Sequence, residues 1–275
     1  MNTIPGDVIA SAVRALLAAA RFAEATALLD AAGAAEHPAL VLARIEVTLA
    51  RDWHHGEVSA AEPLHAARAV IERAGDAEAA WMLDFLSLKR DYNERLLSPS
   101  DDRTQEELVG LAGTLRDTAP DPRCRGWAEF YLGVIADNFT GRRDTAPAHY
   151  RHALAAAARH GDDLLVFETL RHLGDHAHDD GDQMLAREQW ERSARHAARA
   201  GYVAGALSQQ LLLAVLARDR GDEPGAVFLA GEVARWTGAI GARRTEALAT
   251  GFLAGVDPTR PPFDSGRPAE ARSHD

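Results

Sequence analysis

A single cysteine, Cys124, in 275 residues excludes an internal disulfide and a zinc cage built from cysteines. Its place in a segment rich in aromatic residues points to simple burial. Aromatic residues make up only 6% of a chain that is 47% apolar, so much of the core must be built from small side chains. An alanine-rich composition of this kind suits closely packed helices. Strand-like alternation is absent. The apolar run near the N-terminus is broken by Arg14 and Arg21, and the opening Met-Asn-Thr-Ile-Pro-Gly-Asp carries no basic leader, so neither a membrane span nor a signal peptide fits. A cytoplasmic protein without membrane contact is expected.

Positive charge is in deficit. Lys and Arg total 30 against 41 Asp and Glu, a formal charge of −11, which repels phosphate backbones unless a basic patch overrides it. The pairs Arg142/Arg143 and Arg243/Arg244 flank helix junctions and read as solvated side chains, so nucleic acid is not an expected partner. There is no glycine-rich phosphate loop following a strand, since Gly238-Ala-Ile-Gly-Ala242 reads as a helix end. No Gly-x-Ser-x-Gly elbow or Cys/His pair supplies a covalent nucleophile.

What the chain does have is a register of glycines. Gly141, Gly161, Gly181, Gly201, Gly221 and Gly241 are spaced by twenty residues, an interval that holds about four turns of helix plus a short connection. Two intervals make a helical hairpin of about forty residues. Four junctions are Gly-Asp dipeptides: Gly75-Asp76, Gly161-Asp162, Gly181-Asp182 and Gly221-Asp222. Glycine closes one helix in the left-handed conformation, and aspartate accepts a hydrogen bond from the free amides that open the next. With the prolines, these signals predict helices over 5–20, 22–33, 38–51, 60–74, 76–97, 103–118, 122–140, 144–160, 162–180, 183–200, 202–220, 223–240 and 243–254. The expected organisation is an irregular helical part over 1–97, a loop over 98–102, regular repeats over 103–255, and a disordered tail over 256–275 rich in Gly, Pro, Ser and charge.

The best unit carries Leu170, Leu173-Gly174, Ala177, Gly181, Ala186, Trp190 and Ser193. The unit before it supplies Gly141, Ala146, Tyr150 and Ala153, the unit after it Leu213-Ala214, Ala217, Gly221 and Ala226, and Leu16-Leu17, Phe22, Ala25 and Leu29 form a degenerate copy. This pattern resembles the tetratricopeptide repeat, although that repeat is 34 residues long and this one about forty. The resemblance implies an all-α, right-handed superhelix of antiparallel hairpins whose first helices line a concave groove. It also implies a partner that is a protein, a peptide or a small molecule. Modules of that family often accompany DNA-binding or ATPase domains in bacterial regulators, whereas this chain is expected to start directly with repeat helices.

On a wheel of about 100° per residue, Phe167, Leu170, Leu173, Gly174 and Ala177 form a buried stripe, and Glu168, His172, Asp175 and Asp179 lie opposite. By resemblance Glu168, Arg171, Asp175, His178 and Asp179 sit at ligand positions, and Tyr131, Asn138 and Arg218 also reach the groove; a solvated helix face explains the same residues equally simply. Tyr150 and Trp190, forty residues apart, read as core aromatics between paired helices. Three functions follow. The leading one is an interaction or sensor module with no cofactor that binds its ligand in the groove. A second is a metal-dependent or acid–base enzyme in which His172, His176 and Glu168, at four-residue steps, hold a divalent transition metal. A third is a self-assembling structural protein, with an isologous homodimer left open.

Overall fold

A computed structural model describes residues 4–33, 36–97 and 104–259. They form thirteen α-helices and no strand: α1 (Gly6–Ala18), α2 (Phe22–Ala31), α3 (Pro38–His55), α4 (Ala61–Ala74), α5 (Ala77–Leu97), α6 (Gln105–Asp117), α7 (Pro122–Asn138), α8 (Ala146–His160), α9 (Asp163–Asp179), α10 (Gln183–Arg199), α11 (Val203–Asp219), α12 (Glu223–Ala239) and α13 (Arg243–Leu253). None of these helices is long and apolar enough to cross a membrane. The expected loop at 98–102 and the tail from 260 lie outside the described residues.

The junctions follow the chemistry read from the glycines. All six glycines of the register have positive φ, between 65° and 82°. Behind them the backbone N–H of Asp162, Asp182, Tyr202, Asp222 and Ala242 donates to the carbonyl five residues earlier, which satisfies the last turn of the preceding helix. Asp162, Asp182 and Asp222 then accept from the amides of Leu165, Leu185 and Gly225, each at 3.0 Å, and so cap the next helix. One boundary differs from expectation. α3 continues four residues past Arg51 because nothing in Asp52-Trp-His-His55 breaks a helix, and it ends only where Gly56 turns left-handed.

Helix pairs approach closely because glycine on one helix receives an aromatic ring from its partner. A Cβ on Gly133 would lie 2.5 Å from the Tyr150 ring, and a Cβ on Gly174 would lie 2.5 Å from that of Trp190. Tyr150 and Trp190 are fully buried, as expected for repeat-core aromatics. In the next unit the same positions are Ala214 and Ala230, both also fully buried in one cluster, so two small side chains stand where the ring and its notch were. Ser193, at the place of a final alanine, uses its hydroxyl to donate to the Phe167 carbonyl at 2.8 Å.

Neighbouring helices pack in sequence, and every main contact includes an odd-numbered helix. One core runs from Trp81 on α5 through α6, α7 and α8 to Leu170 on α9. Contacts of α3 with α5, α7 with α9 and α11 with α13 bring successive odd-numbered helices against one another, and the side they share is here called the inner face. Ring contacts fill the remaining steps: Phe85 and Tyr92 on α5 meet Tyr131 on α7, and Phe167 on α9 meets Tyr202 beside α11. The circuit then closes, since α13 packs against α3. Buried Cys124 is inert here, its thiol pushed up to about 12 by burial and by Asp121.

Candidate functional site: a charged inner face

The closure of the circuit creates a surface that no single repeat contains. The Arg244 guanidinium of α13 lies over the Trp53 ring of α3, 4.2 Å from its centroid. Beside it, His54 is buried between Phe22, at 5.3 Å, and Tyr202, at 6.4 Å between ring centroids. Burial holds the His54 imidazole down to about 4, and the positive charges of His55, Arg244 and Lys89 push the same way. The ring is therefore neutral, and its Nδ1 has no hydrogen-bond partner among the described residues.

Lys89 of α5 and Glu168 of α9 complete this surface. Both side chains keep contact with solvent yet are enclosed by protein, as groups on a concave wall are. Burial lowers the Lys89 ammonium against the opposing fields of Glu168 and Glu46, and burial raises the Glu168 carboxyl against Arg171 and Lys89. The hydroxyls of Tyr92, Tyr131 and Tyr202 are pushed up, first by burial and also by the charge of Glu168. Five inner elements thus share one electrostatic field. Lys89, Glu168 and Arg244 nonetheless have no ion pair or hydrogen bond with any described residue.

Arg171 is better supported. Its guanidinium lies 3.9 Å from Asp175 and 3.3 Å from His172 Nε2. Burial opposes its charge, but Asp175 and Glu168 prevail and hold it protonated. Asp175 accepts from the Trp190 indole N–H at 3.0 Å, which fixes the Arg171 partner to the repeat core. Of the eight groove positions expected from sequence, Tyr131, Glu168, Arg171 and Asp175 come together here. Tyr131 is buried under the surface. Asn138 donates to the Tyr92 hydroxyl at 2.8 Å and positions that ring.

The other three groove positions tie repeats together. His178 is 2.8 Å from Asp219 on α11, and Asp179 and Asp219 raise its imidazole to about 9. Asp179 is paired with Arg143, whose side chain stays 45% exposed, as expected of a solvated group. Arg218 forms two hydrogen bonds to Glu223 and lies 3.6 Å from the Phe252 ring centroid. Arg244, read from sequence as solvated, is instead part of the inner face because α13 closes against α3.

The geometry also separates the metal-ligand set. His172 stacks on Tyr150 at 5.1 Å with the rings 14° apart, and burial together with Arg171, His176 and Arg143 keeps it well below the usual histidine range. His176 turns to Asp137, 3.0 Å away, while Glu168 has no hydrogen bond or ion pair with either histidine. Among the described residues no group of three His, Cys, Asp or Glu side chains is placed to hold a metal ion.

Lys89, Trp53 and His54 were not singled out by periodicity or motif, and Arg244 was read only as a solvated neighbour of Arg243. One signal for the first was present: Lys89 is the only lysine in a chain whose other 29 basic residues are arginines. No family model, curated protein or solved structure matches the chain.

Proposed function

We propose that the protein is a tetratricopeptide-like binding module of the cytoplasm that holds a ligand against the inner face of its helical circuit. The observation that carries this reading is the set of three charged groups, Lys89, Glu168 and Arg244, drawn back from solvent with no ion pair or hydrogen bond among the described residues, Arg244 resting only on the Trp53 ring. Charges withdrawn from bulk water usually pair or hydrogen-bond, because isolation in a less polar setting costs several kcal/mol. A ligand that completes them recovers that cost, and the field of the inner face selects its charge distribution. Glu168, Arg171 and Asp175 act as one wall, with Lys89 and Arg244 on the adjoining one.

The test is a native mass spectrum of protein purified without an affinity metal or chelator. An organic mass excess that disappears in Glu168→Lys, with the helical circular dichroism spectrum retained, is expected. Bare chain at its calculated mass, or an occupant retained equally by Glu168→Lys, contradicts the reading.

A further inference from the structure

Helices α8 and α10 both pack on α9, but the space between them is not filled. The side chains that α8 contributes to it come largely from the alanine run 155–158, too short to close the gap, and a cavity of about 580 Å³ remains. Its volume is that of a small-ligand cleft. Two helical stripes wall it. Leu154, Ala155 and Ala158 line it along α8 with Arg151 at their end, while Arg192, His196 and Arg199 line it along α10, both at steps of three and four residues. Buried Val166 of α9 adds to the apolar side.

The charge of this cavity is opposite to that of the chain. Three guanidinium groups line it against a single carboxylate, Asp163, in a protein of formal charge −11. Asp163 is already engaged, its Oδ1 lying 2.6 Å from His196 Nδ1. Arg192 donates to Glu188 only at 3.4 Å, across an exposed contact of a kind that contributes little. Arg151 and Arg199 have no ion pair or hydrogen bond among the described residues. We infer that the cavity is a docking site for a short acidic segment of a partner protein, its carboxylates on the three arginines and its aliphatic side chains against Leu154, Ala155 and Ala158. An extended segment in which acidic and aliphatic residues alternate presents one kind to each wall. Three such carboxylates span about 13 Å, enough to cover the rise of about 10 Å from Arg192 to Arg199 on α10. Guanidinium forks match carboxylates geometrically. A nucleic acid fits less well, since no Phe, Tyr or Trp lines the cavity to stack a base and the acidic chain around it repels a phosphate backbone. The cavity shares no residue with the charged inner face, so neither reading depends on the other.

Fluorescence anisotropy of the intact chain with three labelled peptides tests this, their cores being Glu-Leu-Glu-Leu-Glu, Gln-Leu-Gln-Leu-Gln and Glu-Ser-Glu-Ser-Glu. The first is expected to bind at least tenfold more tightly than either of the others. Arg151→Gln combined with Arg199→Gln should weaken it at least tenfold, and Ala158→Phe, which fills the apolar wall without changing charge, should do the same. All three positions are exposed, so the helical circular dichroism spectrum should be retained. Equal binding of the peptides, silence toward all of them, or an affinity indifferent to the double variant overturns the inference. Two further results overturn it by naming another occupant: an oligothymidylate that binds more tightly than the acidic peptide, or a dimer in sedimentation that the double variant abolishes.

Discussion

At the residue scale, two histidines give the protein a defined pH dependence. His54 has its folded value lowered to about 4. Its contribution is therefore complete above the ordinary histidine value of about 6.5 and is lost as pH falls from there toward 4. His178 is raised to about 9, so its contribution is complete below about 6.5 and is lost as pH climbs through 9. The two losses lie on opposite sides of pH about 6.5. Thermal unfolding followed across pH should show an acidic limb from His54 and an alkaline limb from His178, each of about 3 kcal/mol. His54→Phe should flatten the acidic limb and His178→Asn the alkaline one; limbs unchanged by both substitutions would refute the assignment. None of this was legible in the sequence, where His54 lay beyond the expected end of α3 and His178 read as a groove residue. Burial and the Asp219 contact are products of packing between repeats, and no local pattern encodes them.

The scale of single elements is where sequence and structure agree most closely. All thirteen helices fall where the glycines, aspartates and prolines placed them, because helix ends are fixed by local chemistry: a left-handed residue, a capping carboxylate, a missing N–H. The single long extension, at α3, arose where such a stop signal was absent. Two predictions belong here. The α1–α2 turn has the same i to i−5 hydrogen bond, Arg21 N–H to the Leu16 carbonyl, as the glycine junctions, but Ala20 occupies its left-handed position at φ 58°. Ala20→Gly should raise stability by about 1 kcal/mol, since a left-handed Cβ costs roughly that much. Gly174→Ala should lower it by about 1–3 kcal/mol, because the added methyl drives into the Trp190 ring. Urea midpoints of the two variants check both signs. If Gly174→Ala proves neutral, the notch is not the tight contact described.

For the whole molecule the decisive feature is closure, and periodicity alone could not reveal it. The register says how each hairpin packs on the next; it does not give the small rotation per repeat whose accumulation brings α13 back to α3. Half of the candidate site was therefore visible in advance. Glu168, Arg171 and Asp175 share one helix, so a helical wheel collects them. Lys89 and Arg244 lie 79 and 76 residues from Glu168 along the chain, and only the complete circuit assembles them. The central claim is that Lys89 on α5 and Glu168 on α9 lie within reach of each other's charge. Lys89 is the sole lysine, so ¹³C-methylation followed by NMR titration reports its pKa free of any other side-chain amine. It should titrate below an ordinary lysine, and Glu168→Gln should lower it further by removing the charge that favours the ammonium. A Lys89 that titrates as in free solution and is indifferent to Glu168→Gln would contradict the account.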